Sequence, residues 1–370
     1  MQTIKTYAVI LASGMGKRTG FDIPKQLIKV SGKELLIRSV EIFINQYLPI
    51  NFDNIIITVP PQNVFKFDWE EFINKTLLFN KYNNINNVNT DTDTNTNDGT
   101  NGISTYTDTM KKNDCKTDYA NIHTNIIDKI KIIEGGDLRQ KSVYNALNYI
   151  EKNFTYLNSG SKSRCKNNIK YNTESNLNYS LNDSIIFIHD SARPFVTNDE
   201  ICLLYKAAVE FGASFLYRHI TDTVKTFKDL EIKKINKNNG IIKDIENIQI
   251  INSNNAKSNK SGSKNSELKY LYTLNRNNLI AAKTPQAFKF NLIKKAMDAV
   301  FKFKNDENIK KFTDDISFVE DYGYSAKPII SNEFNIKITS PFDLELAEFL
   351  LNKFNKMNKN NTNNKKIDNK

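Results

Sequence analysis

The chain has 370 residues, 39% of them hydrophobic, and a formal charge of +11 at neutral pH. That is apolar material for one large domain or two smaller ones, and no apolar run approaches the roughly 18–20 residues that cross a bilayer. The three cysteines, Cys115, Cys165 and Cys202, have no metal-ligand spacing, and the positive charge is spread among asparagines without a basic-aromatic array, so neither a cysteine metal centre nor a nucleic-acid partner is expected.

The first strand-like run begins within a few residues of the start, with no apolar signal core and no Arg/Ser-rich transit segment before it, which reads as cytoplasmic. A plastid-type organellar address would have to lie upstream. In chain order, runs rich in Ile, Val and Phe predict strands at 6–12, 53–59, 129–134, 184–189 and 212–217. Apolar residues at helical spacing predict helices at 34–47, 67–79, 138–152, 197–211, 289–303 and 341–354, with Thr197 or Asn198 as a cap. Segments at about 81–127, 158–182 and 229–268 and the tail 355–370 are dominated by Asn, Lys, Ser, Thr and Asp; with few apolar residues to offset ordering entropy, they read as disordered insertions and a disordered tail. The rest, about 240 residues, suits a single domain spanning 1–354. Strands alternating with helices predict an α/β protein with a mainly parallel sheet, helices on both faces and ligands beyond the carboxyl ends of the strands.

The chemically suggestive residues fall at those ends. After the first strand come Ala12, Ser13, Gly14, Gly16, Lys17 and Arg18, then Pro24-Lys25-Gln26. Glycines bring backbone N–H groups close to phosphate oxygens, and Arg18 and Lys25 can neutralise a multiply charged phosphate. The stretch is neither a Walker loop nor a dinucleotide fingerprint. After the third strand, Gly135-Gly136-Asp137 leads into a helix whose first turn holds Ser142, and Asp137 also reads as its cap. After the fourth, His189-Asp190-Ser191-Ala192-Arg193 places an acid three residues before a guanidinium. Such an acid suits a metal ion or a hydroxyl, with a structural Asp–Arg pair as the plain alternative, and His189 reads as packed at the strand end. Hydroxyls and cations recur around Thr223, Arg276, Thr284, Thr313 and Lys337, as expected near a polyol phosphate, although Thr313-Asp314 also reads as a helix start.

Taken together, "LASGMGKR…PKQ", "EGGDLRQKSV", "HDSARPF", "TDTVK", "R…TPQAF", "TDDISFVE" and "NIKITSPFDLELAE" resemble, in order, the 2-C-methyl-D-erythritol 4-phosphate cytidylyltransferases and the wider polyol-phosphate cytidylyltransferase group. The resemblance implies a Rossmann-like nucleotidyltransferase fold with a protruding dimerisation arm, about 219–284. It implies transfer of a cytidylyl group from CTP to the polyol phosphate with release of pyrophosphate. Ala12, Ser13, Gly14, Gly16 and Lys17 would then hold the triphosphate, with Arg18, Lys25 and Lys337 serving the reaction. Gly135, Asp137, Ser142 and Ser191 match nucleoside-binding positions. Asp190, Arg193, Thr223, Arg276, Thr284 and Thr313 match positions around the polyol phosphate, and the arm implies a homodimer with shared active sites. Ser13 stands where the family usually has alanine and Thr19 where methionine is common, and the insertion at 229–268 falls within the arm.

The residue inventory agrees with that chemistry. The nucleophile would be the substrate's own phosphate, mostly dianionic near neutral pH because its second pKa is about 6, so no general base is required. The work left to the protein is alignment and charge stabilisation by Lys, Arg and a divalent ion, Mg²⁺, held mainly by phosphates. Ribitol 5-phosphate is the rival acceptor, towards which "HDS" leans, whereas "TDDISFVE" leans to methylerythritol phosphate. A non-catalytic nucleotide-binding protein is the remote alternative. A sugar-nucleotide glycosyltransferase would need an Asp-x-Asp motif, and Asp91-Thr92-Asp93 lies in a low-complexity stretch.

Overall fold

The computed structural model describes residues 4–15, 23–45, 47–77, 126–154, 180–229, 269–303 and 306–353. The segments expected to be insertions, and the tail, lie largely outside these residues. Three of their edges are structured: 126–129 is a short helix, Leu181 is buried in the 3-10 turn Leu181–Asp183, and Asp229 ends a strand.

Seven strands form one sheet. In chain order the strands of the chain are β1 (Thr6–Leu11), β2 (Lys29–Val30), β3 (Lys33–Glu34), β4 (Asn54–Val59), β5 (Ile130–Glu134), β6 (Ile185–Asp190), β7 (Ala213–His219), β8 (Lys225–Asp229), β9 (Lys269–Thr273), β10 (Ile280–Lys289) and β11 (Lys327–Ile330). The helices are α1 (Leu35–Phe43), α2 (69–77), α3 (126–129), α4 (Arg139–Phe154), α5 (Asn198–Phe211), α6 (Phe290–Phe303), α7 (Asp306–Ile309), α8 (Ile316–Asp321) and α9 (341–353). The sheet order is β11-β7-β10-β6-β1-β4-β5. β1 pairs in parallel with β4 and β6, and β4 with β5, so four carboxyl ends share one edge; β10 runs antiparallel to β6.

Both faces of the central strands are covered, which is why they read as continuous apolar runs rather than alternating ones. Ala8 and Ile10 of β1 pack in one cluster with Leu36 and Val40 of α1, Ile201 and Leu204 of α5 and Ile73 of α2. On the opposite side Tyr7 meets Phe154 of α4, their ring centroids 5.3 Å apart. Each large aliphatic or aromatic side chain so buried contributes about 1.5–3 kcal/mol relative to exposure. α5 starts where its sequence says: Thr197 and Glu200 form a reciprocal capping box, and Gly212 ends the helix at φ 88°. α9 closes a smaller cluster in which Ala347 and Leu350 pack with Ile28, Val30, Leu35 and Phe195.

Residues 217–282 form a compact unit separate from the remainder of the chain. Within it β8 and β9 pair antiparallel, from Lys225 opposite Thr273 to Asp229 opposite Lys269. Asn275 caps the 3-10 turn Arg276–Asn278, and Arg276 Nη1 donates to the Thr221 carbonyl at 2.6 Å.

Candidate active site

Three turns leave the shared carboxyl edge, after β1, β5 and β6. β6 and β5 are three strand spacings apart, about 14 Å, so the edge suits an extended ligand.

At the β1–β5 end the contacts are made by backbone and hydroxyls. Ser13 Oγ and Ser142 Oγ lie 2.8 Å apart, and the Gly136 N–H donates to Ser142 Oγ at 3.0 Å. A Cβ on Gly135 would stand 2.5 Å from Ser13 Cβ and 2.8 Å from Ser142 Oγ, so only glycine lets the two turns approach this closely. Gln26 is fully buried, and its Nε2 donates to the Ala12 carbonyl at 2.6 Å. That bond fixes the turn Lys25–Leu27 beside the end of β1 and so places Lys25 at this edge. Gly14 is exposed, whereas Ala12 is buried. Gly16, Lys17 and Arg18 lie outside the described residues. Asp137 is exposed and pairs with Lys141 at 3.2 Å.

At the β6 end the contacts are ionic. Asp190, buried at the strand terminus, takes Lys337 Nζ at 2.7 Å and Arg139 Nε at 3.4 Å, with Arg193 Nε at 3.8 Å. Arg139 forks onto Asp315, whose side chain has no exposed surface, with its Nη1 and Nη2 at 2.9 and 2.7 Å from the two carboxylate oxygens. Gln286 Oε1 accepts the Asp315 and Ile316 N–H groups, both at 3.0 Å, and its Nε2 donates to Asp314. The Asn335 carbonyl accepts from Lys283 Nζ at 2.7 Å and Arg193 Nη1 at 3.2 Å. Burial works against the Asp190 carboxylate, but Arg139 and Lys337 outweigh it and hold its pKa far below the usual carboxylate range. Burial likewise works against the Arg139 charge and is outweighed by Asp315 and Asp190, which raise its pKa, while burial pulls Asp315 upward against Arg139. Three cations thus face two carboxylates, an excess suited to an anion.

That arrangement changes the reading of Asp190. A carboxylate with Lys337 on one oxygen and Arg139 on the other is not available to a resident metal ion, and the described residues hold no group of three acidic, His or Cys side chains placed for one. The residues therefore do not fit Asp190 as a metal ligand. Thr284 lies beside Asp190: it is buried, its hydroxyl accepts the Asp190 N–H at 3.1 Å and faces His189 Nδ1 at 3.3 Å. His189 is fully buried, and burial, with Arg193 and Lys337 nearby, lowers its pKa to about 4. Ser191 is buried with no partner for its hydroxyl among the described residues, and its main chain is held by Leu11 and Ser39. Thr313 is exposed, and Thr223 and Arg276, both exposed, belong to the separate 217–282 unit.

Sequence reasoning overlooked Arg139, Asp315, Gln286 and Gln26, although each sits inside a quoted motif. The available signal was polar residues next to apolar runs, positions that most folds cap or pair.

A mostly parallel α/β sheet with close glycine turns and surplus cations at its carboxyl edge suits a phosphate-bearing ligand. The family model described as "IspD: 2-C-methyl-D-erythritol 4-phosphate cytidylyltransferase" matches residues 260–353. A 2-C-methyl-D-erythritol 4-phosphate cytidylyltransferase of Clostridioides difficile (strain 630) is 28% identical over 344 residues, covering 93% of this chain and 92% of the relative. The enzyme of that name from Petrotoga mobilis is 26% identical over 343 residues, covering 92% and 96%. The crystal structure of the Francisella tularensis 2-C-methyl-D-erythritol 4-phosphate cytidylyltransferase superposes with a TM-score of 0.49 at 24% identity, covering 93% of this chain and 99% of that one. The protein is a nucleotidyltransferase of the cytidylyltransferase class. Within that class it is IspD-like, similar along most of its length to the 2-C-methyl-D-erythritol 4-phosphate cytidylyltransferases.

Proposed function

We propose that the protein transfers the cytidylyl group of CTP to 2-C-methyl-D-erythritol 4-phosphate. An oxygen of the acceptor phosphate bonds to the α-phosphorus of CTP, the bond to the bridging oxygen of the β-phosphate breaks, and pyrophosphate leaves. The observation that carries this reading is the cation cluster of Arg139, Arg193 and Lys337 around one buried carboxylate, on the same strand edge as the glycine–hydroxyl turns. The glycine turns suit the nucleotide, and the cation cluster suits the second phosphate. Two anions that repel each other can meet there because fixed positive charge in a low-dielectric edge costs no reorganisation during the reaction. Lys25 and Arg18 are assigned to the triphosphate, and Lys337, poised on Asp190, to the acceptor phosphate. Mg²⁺ belongs to this reading as the counter-ion of CTP, part of the substrate.

The homodimer is part of the same proposal. Thr223 and Arg276 are assigned to the site of a second copy by the family resemblance, and both are exposed. The decisive experiment offers the purified protein Mg·CTP with methylerythritol phosphate or ribitol 5-phosphate and measures pyrophosphate. Release with the first acceptor at least tenfold faster than with the second is expected; the reverse ranking assigns the ribitol reaction, and release with neither overturns the enzymatic reading.

A further inference from the structure

We propose that His189 is a positioning residue for this transfer: a neutral imidazole protonated at Nε2, which ties the Thr284 hydroxyl to the Arg193 carbonyl and fixes the main chain carrying Asp190 and Arg193. Two of the partners have no choice, and with the buried ring neutral they fix the proton positions. The Asp190 N–H can only donate, and it donates to Thr284 Oγ1 at 3.1 Å. The Thr284 hydroxyl hydrogen is then free to go to His189 Nδ1, 3.3 Å away. The Arg193 carbonyl can only accept, and it lies 3.0 Å from Nε2, so that nitrogen carries the hydrogen. Asp190 N–H, Thr284 O–H and His189 Nε2–H thus point the same way round, from one end of the Asp190–Arg193 turn to the other.

The turn is closed from both sides, since the Arg193 N–H also donates to the Asp190 carbonyl at 3.0 Å. Phe43 holds the imidazole edge-on, with ring centroids 5.6 Å apart, and His189 has no exposed surface. The relay extends further: the Thr284 carbonyl accepts from Asn335 Nδ2 at 3.1 Å, two residues before Lys337. Asp190 and Arg193, which would surround the acceptor phosphate with Lys337, are therefore tied to one buried ring, and Lys337 follows closely on a side chain bonded to the same Thr284. Thr284, its hydroxyl hydrogen turned towards His189, has no donor left for a phosphate, and its role is support. A misplacement of about 1 Å at a reacting centre costs up to about 100-fold in rate, so losing this ring should act on turnover more than on nucleotide binding.

The kinetic arm of the test rests on the proposed cytidylyl transfer; the other two arms do not. Nitrogen-15 spectra of the imidazole in the full-length protein at pH 7 are expected to show the Nε2–H tautomer. His189→Phe keeps the ring and neither nitrogen, His189→Asn keeps an acceptor near Nδ1, and His189→Gln keeps a donor near Nε2. Turnover should fall about 10–100-fold in the Phe variant and less in the Asn and Gln variants, with KM for CTP within about twofold of the parent. His189→Phe and Thr284→Val should be non-additive in unfolding free energy, because they break the same relay. An Nδ1–H tautomer or an imidazolium, unchanged turnover in folded variants, or strict additivity would each overturn the proposal. Should the Phe variant not fold, the Asn and Gln variants decide. If the parent transfers to neither polyol phosphate, the proposed function fails, and the tautomer and the double-mutant cycle still decide the role of His189.

Discussion

At the β1–β5 end of the strand edge, Ser13, Gly135 and Ser142 meet through hydroxyls and bare backbone; at the β6 end, Asp190 lies among Arg139, Arg193 and Lys337. The first end is specified by shape, the second by charge. Shape tolerates polar exchange but not an added atom, since the neighbours are already in contact. A buried ionic cluster tolerates small changes of shape but not the loss of one partner, which strands the opposite charge away from water.

That contrast sets the order of effects. Asp315→Ala should be the most damaging to stability, about 3–5 kcal/mol by denaturant unfolding, because Arg139 loses its bidentate partner in the interior. A loss under 1 kcal/mol would mean that Arg139 finds water or another acid. Lys337→Ala and Lys25→Ala should each lower turnover about 100–1000-fold, the equivalent of about 3–4 kcal/mol at the transition state; Lys25→Ala should keep a near-parental unfolding curve, whereas Lys337→Ala should also lose stability, because buried Asp190 loses a partner. Near-parental turnover in either variant would remove that lysine from its assigned role.

Acid should act on the charged end first. The His189 pKa falls from 6.5 to about 4 on folding, so the unfolded chain takes up a proton before the folded one does as pH drops through that window. Stability contributed by the neutral ring is complete above pH 6.5 and declines between 6.5 and 4 by on the order of 3 kcal/mol. Asp190, whose pKa is depressed, adds a further loss only below its ordinary carboxylate range. His189→Asn should flatten the upper part of the profile, and an unchanged slope would contradict the shift.

At the uncharged end, Gly135→Ala should cost about 1–3 kcal/mol and weaken CTP binding, because the new methyl meets Ser13 Cβ. Ser13→Gly in the same chain should restore much of it; failure to rescue would place the clash elsewhere. Smallest of all, Asp306→Asn should leave both stability and turnover at parental levels, since its pairing with Lys141 is at the surface.

Much of the framework was legible. The strand runs at 6–12, 53–59, 129–134, 184–189 and 212–217 reappear as β1, β4, β5, β6 and β7 within a residue or two, because strands covered on both faces must be apolar throughout. β10 was not legible: "IAAKTPQAFK" mixes Lys, Thr, Pro and Gln into a strand whose outer half is exposed and whose inner half is buried. β11 has four residues and little side-chain burial to announce it. At the site, the Asp190–Arg193 pair was visible because its members are three positions apart. The Arg139–Asp315 fork was not, since its partners are 176 positions apart and only the sheet brings them together. The same reason hid the bonds of Thr284, whose partners Asp190 and His189 are some 95 positions away.

Glu200 serves more than its helix. Besides capping α5 with Thr197, its carboxylate accepts from Ser331 Oγ at 2.7 Å and the Asn332 N–H at 2.9 Å, anchoring the segment that runs on to Asn335 and Lys337. Positions 197, 200, 331 and 332 are consequently one mechanical unit. Drift at any of them has to be matched by the others, and an engineer who swaps the cap for a stronger one also retunes the lysine at the strand edge.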